Sequence, residues 1–126
     1  MKKTILLAAG IICLSNFGSA QQTAIDNAVQ GTGTNQHNYV GAGWVHGSGV
    51  PGFGFNTLSY SAVADAYVTL TFVGNKVDWY TEKKNTHGIA AVSIDGGLET
   101  TVNLYSSTEQ HMLAYSSPTL AHGTHT

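Results

Sequence analysis

Between residues 67 and 81 apolar and polar side chains take turns along the chain. Val68, Leu70 and Phe72 fall on one side of an extended backbone, with Tyr67, Thr69 and Thr71 on the other. A side-chain period of two is the signature of a half-buried β-strand. Residues 76–81 repeat the pattern, Val77 and Trp79 sharing one face and Asp78 and Tyr80 the other. Gly74-Asn75 between them reads as a two-residue turn, so the stretch predicts a hairpin.

The same period continues downstream. Ala90, Val92 and Ile94 line one side of 89–94, Asp95-Gly96-Gly97 turns the chain, and 98–105 returns with Val102 and Leu104 inward. Residues 111–115 form a further short strand. Upstream, 39–45 and 56–60 read as strands around a Gly-rich loop, 46–54, that contains Pro51. Past the first 20 residues no stretch repeats apolar side chains at i, i+3, i+4 and i+7, and there is no room for crossover helices. Short strands at near-regular spacing predict an all-β sandwich. Their parity predicts one shared core of Val68, Leu70, Phe72, Val77, Trp79, Val92, Ile94, Val102 and Leu104.

The first residues read differently. Lys2 and Lys3 precede an apolar run from 4 to 14, and Gly18-Ser19-Ala20 supplies small residues before a cut. That order is a secretory signal peptide over 1–20. The run is about half the ~20 residues of a spanning helix. The mature chain then begins at Gln21, loses Cys13, and keeps only Lys76, Lys83 and Lys84 against all seven acids. The expected location is secreted or cell-surface, with the periplasm as another destination, and no membrane attachment after cleavage. Residues 21–38, polar and rich in Gly and Thr, read as an amino-terminal linker or edge segment. Residues 39–126 read as the sandwich domain.

Charge and motifs narrow the function. With five Lys, no Arg and a net charge of −2, the chain has no basic face for nucleic acid. A single Cys excludes a disulfide framework and a Cys-based zinc site. There is no G-x-S-x-G, H-E-x-x-H, P-loop or C-x-x-C motif. Asp78 and Glu82 are the nearest thing to a glycosidase pair, and read instead as an outward strand position and a loop residue on a solvated surface. No catalytic role is expected. His122 and His125 would face opposite ways on a regular strand. Asp26 and Asn27, with nearby carbonyls, are oxygen donors of the kind a structural calcium ion takes; no other cofactor is implied.

Aromatic residues are the stronger signal. Rings offer an apolar face with polar edges or tips, which suits the C–H face and hydroxyl rim of a sugar. Trp79 alternates with Val77 and belongs to the core, whereas Tyr80 points the other way and Trp44 lies beside the Gly-rich loop. These two rings are the candidate platform. His46, Lys83 and His87 are candidate hydrogen-bond donors, placed on loops 46–55 and 81–87 at one end of the sandwich.

Three motifs occur in order: F-x-G-x-x-V-x-W-Y from Phe72 to Tyr80, H-G-x-A-x-V-x-I-D-G from His87 to Gly96, and V-x-L-Y-S from Val102 to Ser106. Together they resemble the galactose-binding-like jelly-roll carbohydrate-binding modules of secreted bacterial proteins. The resemblance runs from about Tyr39 to the end. It implies a jelly-roll β-sandwich, a polysaccharide or glycan as partner, and a neighbouring catalytic domain. Asn103 stands where such modules often carry Asp. The segment 120–126 resembles the entry to the family's last strand, so the fold expected for this chain lacks that strand. A structural or adhesion domain at the cell surface is the alternative function.

Overall fold

The computed structural model describes residues 7–9, 12–15, 22–49, 51 and 55–126. The basic start and the Ala20 cut of the expected signal peptide, and the tip of the Gly-rich loop (50 and 52–54), lie outside them. All regular structure among the described residues is extended: β1 (Leu7–Ala9), β2 (Ile12–Ser15), β3 (Gln22–Ile25), β4 (His37–Val40), β5 (Trp44–Ser48), β6 (Thr57–Ser61), β7 (Tyr67–Leu70), β8 (Phe72–Gly74), β9 (Val77–Lys83), β10 (Ile89–Val92), β11 (Thr100–Asn103), β12 (Gln110–Ser116) and β13 (Gly123–His125). No helix of the described residues is long and apolar enough to cross a membrane.

The strands form several small antiparallel sheets. One has four strands in the order β12-β9-β2-β3, and one has three, β1-β6-β5. The pairs β10-β11, β13-β8 and β4-β7 complete the set. β1 and β2, which fall within residues 1–20, pair with β6 and with β3 and β9. The 21–38 segment supplies β3, an edge strand, and its Ile25, Asn27 and His37 are buried.

Period-two reading located these strands but not all their partners. The hairpin expected at Gly74-Asn75 does not form: β8 pairs with β13, and β9 with β12 and β2. The chain instead crosses from one sheet to another at a buried corner, where Asn75 accepts a backbone hydrogen bond from Leu120. Alternation puts Phe72 and Val77 inward in either arrangement, and does not say whether they lie side by side or face each other. The 39–45 strand is likewise divided. Gly41 and Gly43 take φ of 94° and 76°, left-handed values that turn the chain between β4 and β5. Residues 46–48, expected in the loop, extend β5. The Asp95-Gly96 turn is as expected: both residues have positive φ, and Gly97 N donates to Ile94 O.

The expected single core is two clusters. Trp79, Ala90, Val102 and Leu104 form one, with Trp44, Val68, Val92, Ala114 and Tyr115 against it. Ile25, Phe72 and Val77 form the other, with Leu70, Ile94 and Leu120. All nine predicted positions take part, but a cavity of about 860 Å³ has walls drawn from both clusters.

Candidate functional site

β9 carries the polar centre of the molecule. Trp79 enters the core, so alternation places Asp78, Tyr80 and Glu82 on the opposite face. That face is covered, contrary to the solvated surface expected for Asp78 and Glu82. Both are buried, and Glu82 belongs to the strand, not to a loop. Asp78 accepts a hydrogen bond from Ser116 and lies 3.6 Å from Lys76.

Glu82 is the hub. His87, in the loop after β9, turns back so that Nε2 lies 3.1 Å from Glu82 Oε2 and Nδ1 lies 3.1 Å from the Glu82 carbonyl oxygen. The other carboxylate oxygen faces His111 Nε2 at 3.8 Å and Lys84 Nζ at 3.9 Å. His111 sits directly across from Glu82 in the β9-β12 register. Glu109 closes the ring, 2.6 Å from Lys84 Nζ and 3.4 Å from His111 Nε2. Its hydrogen bond holds the Lys84 ammonium above the ordinary lysine range, with the charge of Glu82 adding to it, and Lys84 in turn holds Glu109 below the usual carboxylate range.

An aromatic face adjoins this ring. Lys84 and Tyr105 form a parallel bridge, with Lys84 N donating to Leu104 O and Ser106 N to Lys84 O. Bridged residues project to the same side of a sheet, so Tyr105 stands beside the Lys84 side chain, 55% exposed. Tyr80 shares the Glu82 face and opposes Leu113.

The predicted site residues fall into two groups. Tyr80 and His87 belong to the Glu82 face. Trp44 does not: it packs against the Trp79 cluster, on the other side of β9, and its Nε1 donates to Val40 O. His46 goes with Trp44. Its Nδ1 is 2.8 Å from Ser59 Oγ, and both rings meet Tyr39 edge-on at 4.7 Å. Lys83 is half-buried and, by alternation, on the Trp79 side. Sequence reasoning missed Glu82, Lys84, Tyr105, Glu109 and His111 as a set. The available signal was the i, i+2 spacing of Glu82 with Lys84 and of Glu109 with His111.

Three groups, Glu82, Glu109 and His111, bring ligand atoms within 4.8 Å of one another. Lys84 Nζ already lies within 4 Å of both carboxylates, the position of a counter-cation. Asp26 and Asn27 are engaged as well. Asp26 Oδ1 accepts from Ala28 N and Thr57 Oγ1, and the Asn27 side chain bonds Thr57 and Ser59.

Comparison with family models, curated proteins and solved structures finds no match.

Proposed function

We propose that the chain is a secreted, noncatalytic carbohydrate-binding module of galactose-binding-like jelly-roll type. The observation that carries this reading is the Glu82–His87–His111–Lys84–Glu109 ring beside the exposed face of Tyr105. At the exposed edge of the ring the Glu109 carboxylate accepts from sugar hydroxyls, the Lys84 ammonium donates to them, and the Tyr105 phenol ring meets the C–H face. A noncatalytic role is supported by Lys84, which the Glu82 and Glu109 carboxylates share between them, where a glycosidase would need the scissile bond to lie.

Secretion rests on the order of residues 1–20. On this reading β1 and β2 leave with the leader. β2 pairs with Val77–Trp79, and among the described residues Glu82 is paired with His111 of β12, which stays with the mature chain. A glycan array probed with the chain from Gln21 onward, as wild type and as Tyr105→Ala, tests the proposal. Saturable binding to one glycan class that falls in the variant supports it. A folded wild type that retains no glycan overturns it in favour of a structural or adhesion domain.

A further inference from the structure

Two strands bring an imidazole and two carboxylates to one point. His111 on β12 lies directly across from Glu82 on β9, and side chains so opposed stand about 4.5–5.5 Å apart at Cβ. Glu109 precedes His111 by two residues, and extended chain turns such a pair to the same side. One donor atom each from Glu82, Glu109 and His111 then lies within 4.8 Å of the other two.

The spacing is that of ligands around an ion. His111 Nε2 stands 3.4 Å from Glu109 Oε1 and 3.8 Å from Glu82 Oε1. A direct hydrogen bond from a ring nitrogen to an oxygen is about 2.7–3.2 Å long. A tetrahedral zinc ion with ligands at about 2.0–2.1 Å holds neighbouring donor atoms about 3.3–3.4 Å apart. Imidazole among the donors favours such an ion over calcium or magnesium, which take oxygen. Three protein ligands leave a fourth position for water.

The surroundings suit this role. His87 Nε2, 3.1 Å from Glu82 Oε2, holds that carboxylate with its other oxygen turned to His111. Carboxylate ligands of metals are held from outside in this way. Glu82 is buried, His111 half-buried and Glu109 exposed, so an ion enters past Glu109. Lys84 Nζ, 2.6 Å from Glu109 and 3.9 Å from Glu82, supplies positive charge to both acids. Its side chain is partly exposed, and its flexible four-carbon stem lets the ammonium swing out to water.

We propose that Glu82, Glu109 and His111 bind a divalent transition-metal ion of the zinc type, which takes the place of the Lys84 ammonium. Two carboxylates and a neutral imidazole carry two negative charges, and one such ion balances them.

The test is calorimetric titration of zinc chloride into the untagged full chain, stripped beforehand with a chelator and checked for folding. The expected result is one ion per chain. His111→Gln and Glu109→Gln should each bind at least about tenfold more weakly, the loss that even an outer residue of a metal site produces. Glu109 is exposed, so its variant reports on the ion without disturbing the core. Lys84→Met removes the competing ammonium and should bind severalfold more tightly. A folded wild type that takes up no zinc overturns the proposal. So does binding unchanged in either glutamine variant, which would put the ion elsewhere, and so does weaker binding by Lys84→Met. No sugar enters the titration, so its outcome is independent of the glycan reading.

Discussion

His87 grips Glu82 twice, through its carbonyl and through its carboxylate, with both ring nitrogens at 3.1 Å. A carbonyl only accepts, so Nδ1 donates, and one proton must then lie between Nε2 and Oε2. The side chains are 4% and 8% exposed, so the bond is made in a largely dry setting. Without His87 the Glu82 Oε2 atom, on the side away from His111 and Lys84, would be a buried acceptor that has lost its donor.

His87→Ala should therefore cost about 3–5 kcal/mol, the usual penalty for removing one member of a buried pair. Urea denaturation of the two proteins at neutral pH measures it. A loss under about 1 kcal/mol, the range of an exposed pair, would mean that Glu82 is hydrated in solution.

Phe72 is the largest member of its cluster and is 2% exposed. Truncation to Ala removes a buried ring whose site cannot fully collapse, at about 3–5 kcal/mol. The check is again the shift of the denaturation midpoint. A near-neutral result would contradict the inward register of β8.

Gly43→Ala tests the β4–β5 turn. Gly43 has φ of 76°, and an added Cβ would collide with Val63 Cγ2. Val63 is exposed and can move aside, so the left-handed backbone sets most of the cost, about 1–2 kcal/mol. Gly49, with φ of 72° and open space around it, gives a comparison in which the backbone alone is strained. Thermal melting of both variants separates strain from contact.

Two histidines should give opposite pH dependences. Burial holds His37 below its ordinary value of 6.5, with Asp26 and the Val29 carbonyl opposing the shift. The unfolded chain then binds that proton more readily, so stability falls as pH drops below about 6.5 and levels off below the folded value. His125 runs the other way. Its hydrogen bond with Asp95 raises it, so its contribution is full below 6.5 and is lost as pH rises through the folded value. His37→Leu should flatten the acid side of the stability profile, and His125→Gln the neutral side. Denaturation midpoints between about pH 5 and 8 decide it; superimposable profiles for His37→Leu and wild type would contradict the burial of His37.

Strand positions were legible in the sequence because the period of two records which side chains face inward. Pairing was not legible there. Phe72 and Val77 read the same whether their strands neighbour each other in one sheet or belong to two, and the structure puts them in different sheets. The Glu82 face was hidden for a related reason. Glu82 and His111 are 29 positions apart in the numbering and meet only through the β9-β12 register. His87 was found because it stands in the 81–87 loop, while Glu109 and Tyr105 are unremarkable alone. Trp44 looked like a platform beside a loop, but its indole N–H is tied to Val40 and its ring closes the Trp79 cluster.

The most direct measurement is calorimetric titration of the best-bound glycan into three folded proteins: wild type, Tyr105→Ala and Trp44→Phe. Losing a platform ring should cost on the order of 1–3 kcal/mol of binding. The account predicts that Tyr105→Ala loses roughly 5- to 140-fold in affinity, at 1.4 kcal/mol per tenfold, while Trp44→Phe binds like wild type. Unchanged binding by Tyr105→Ala, with a loss in Trp44→Phe, would contradict the placement of the site on the Glu82 face.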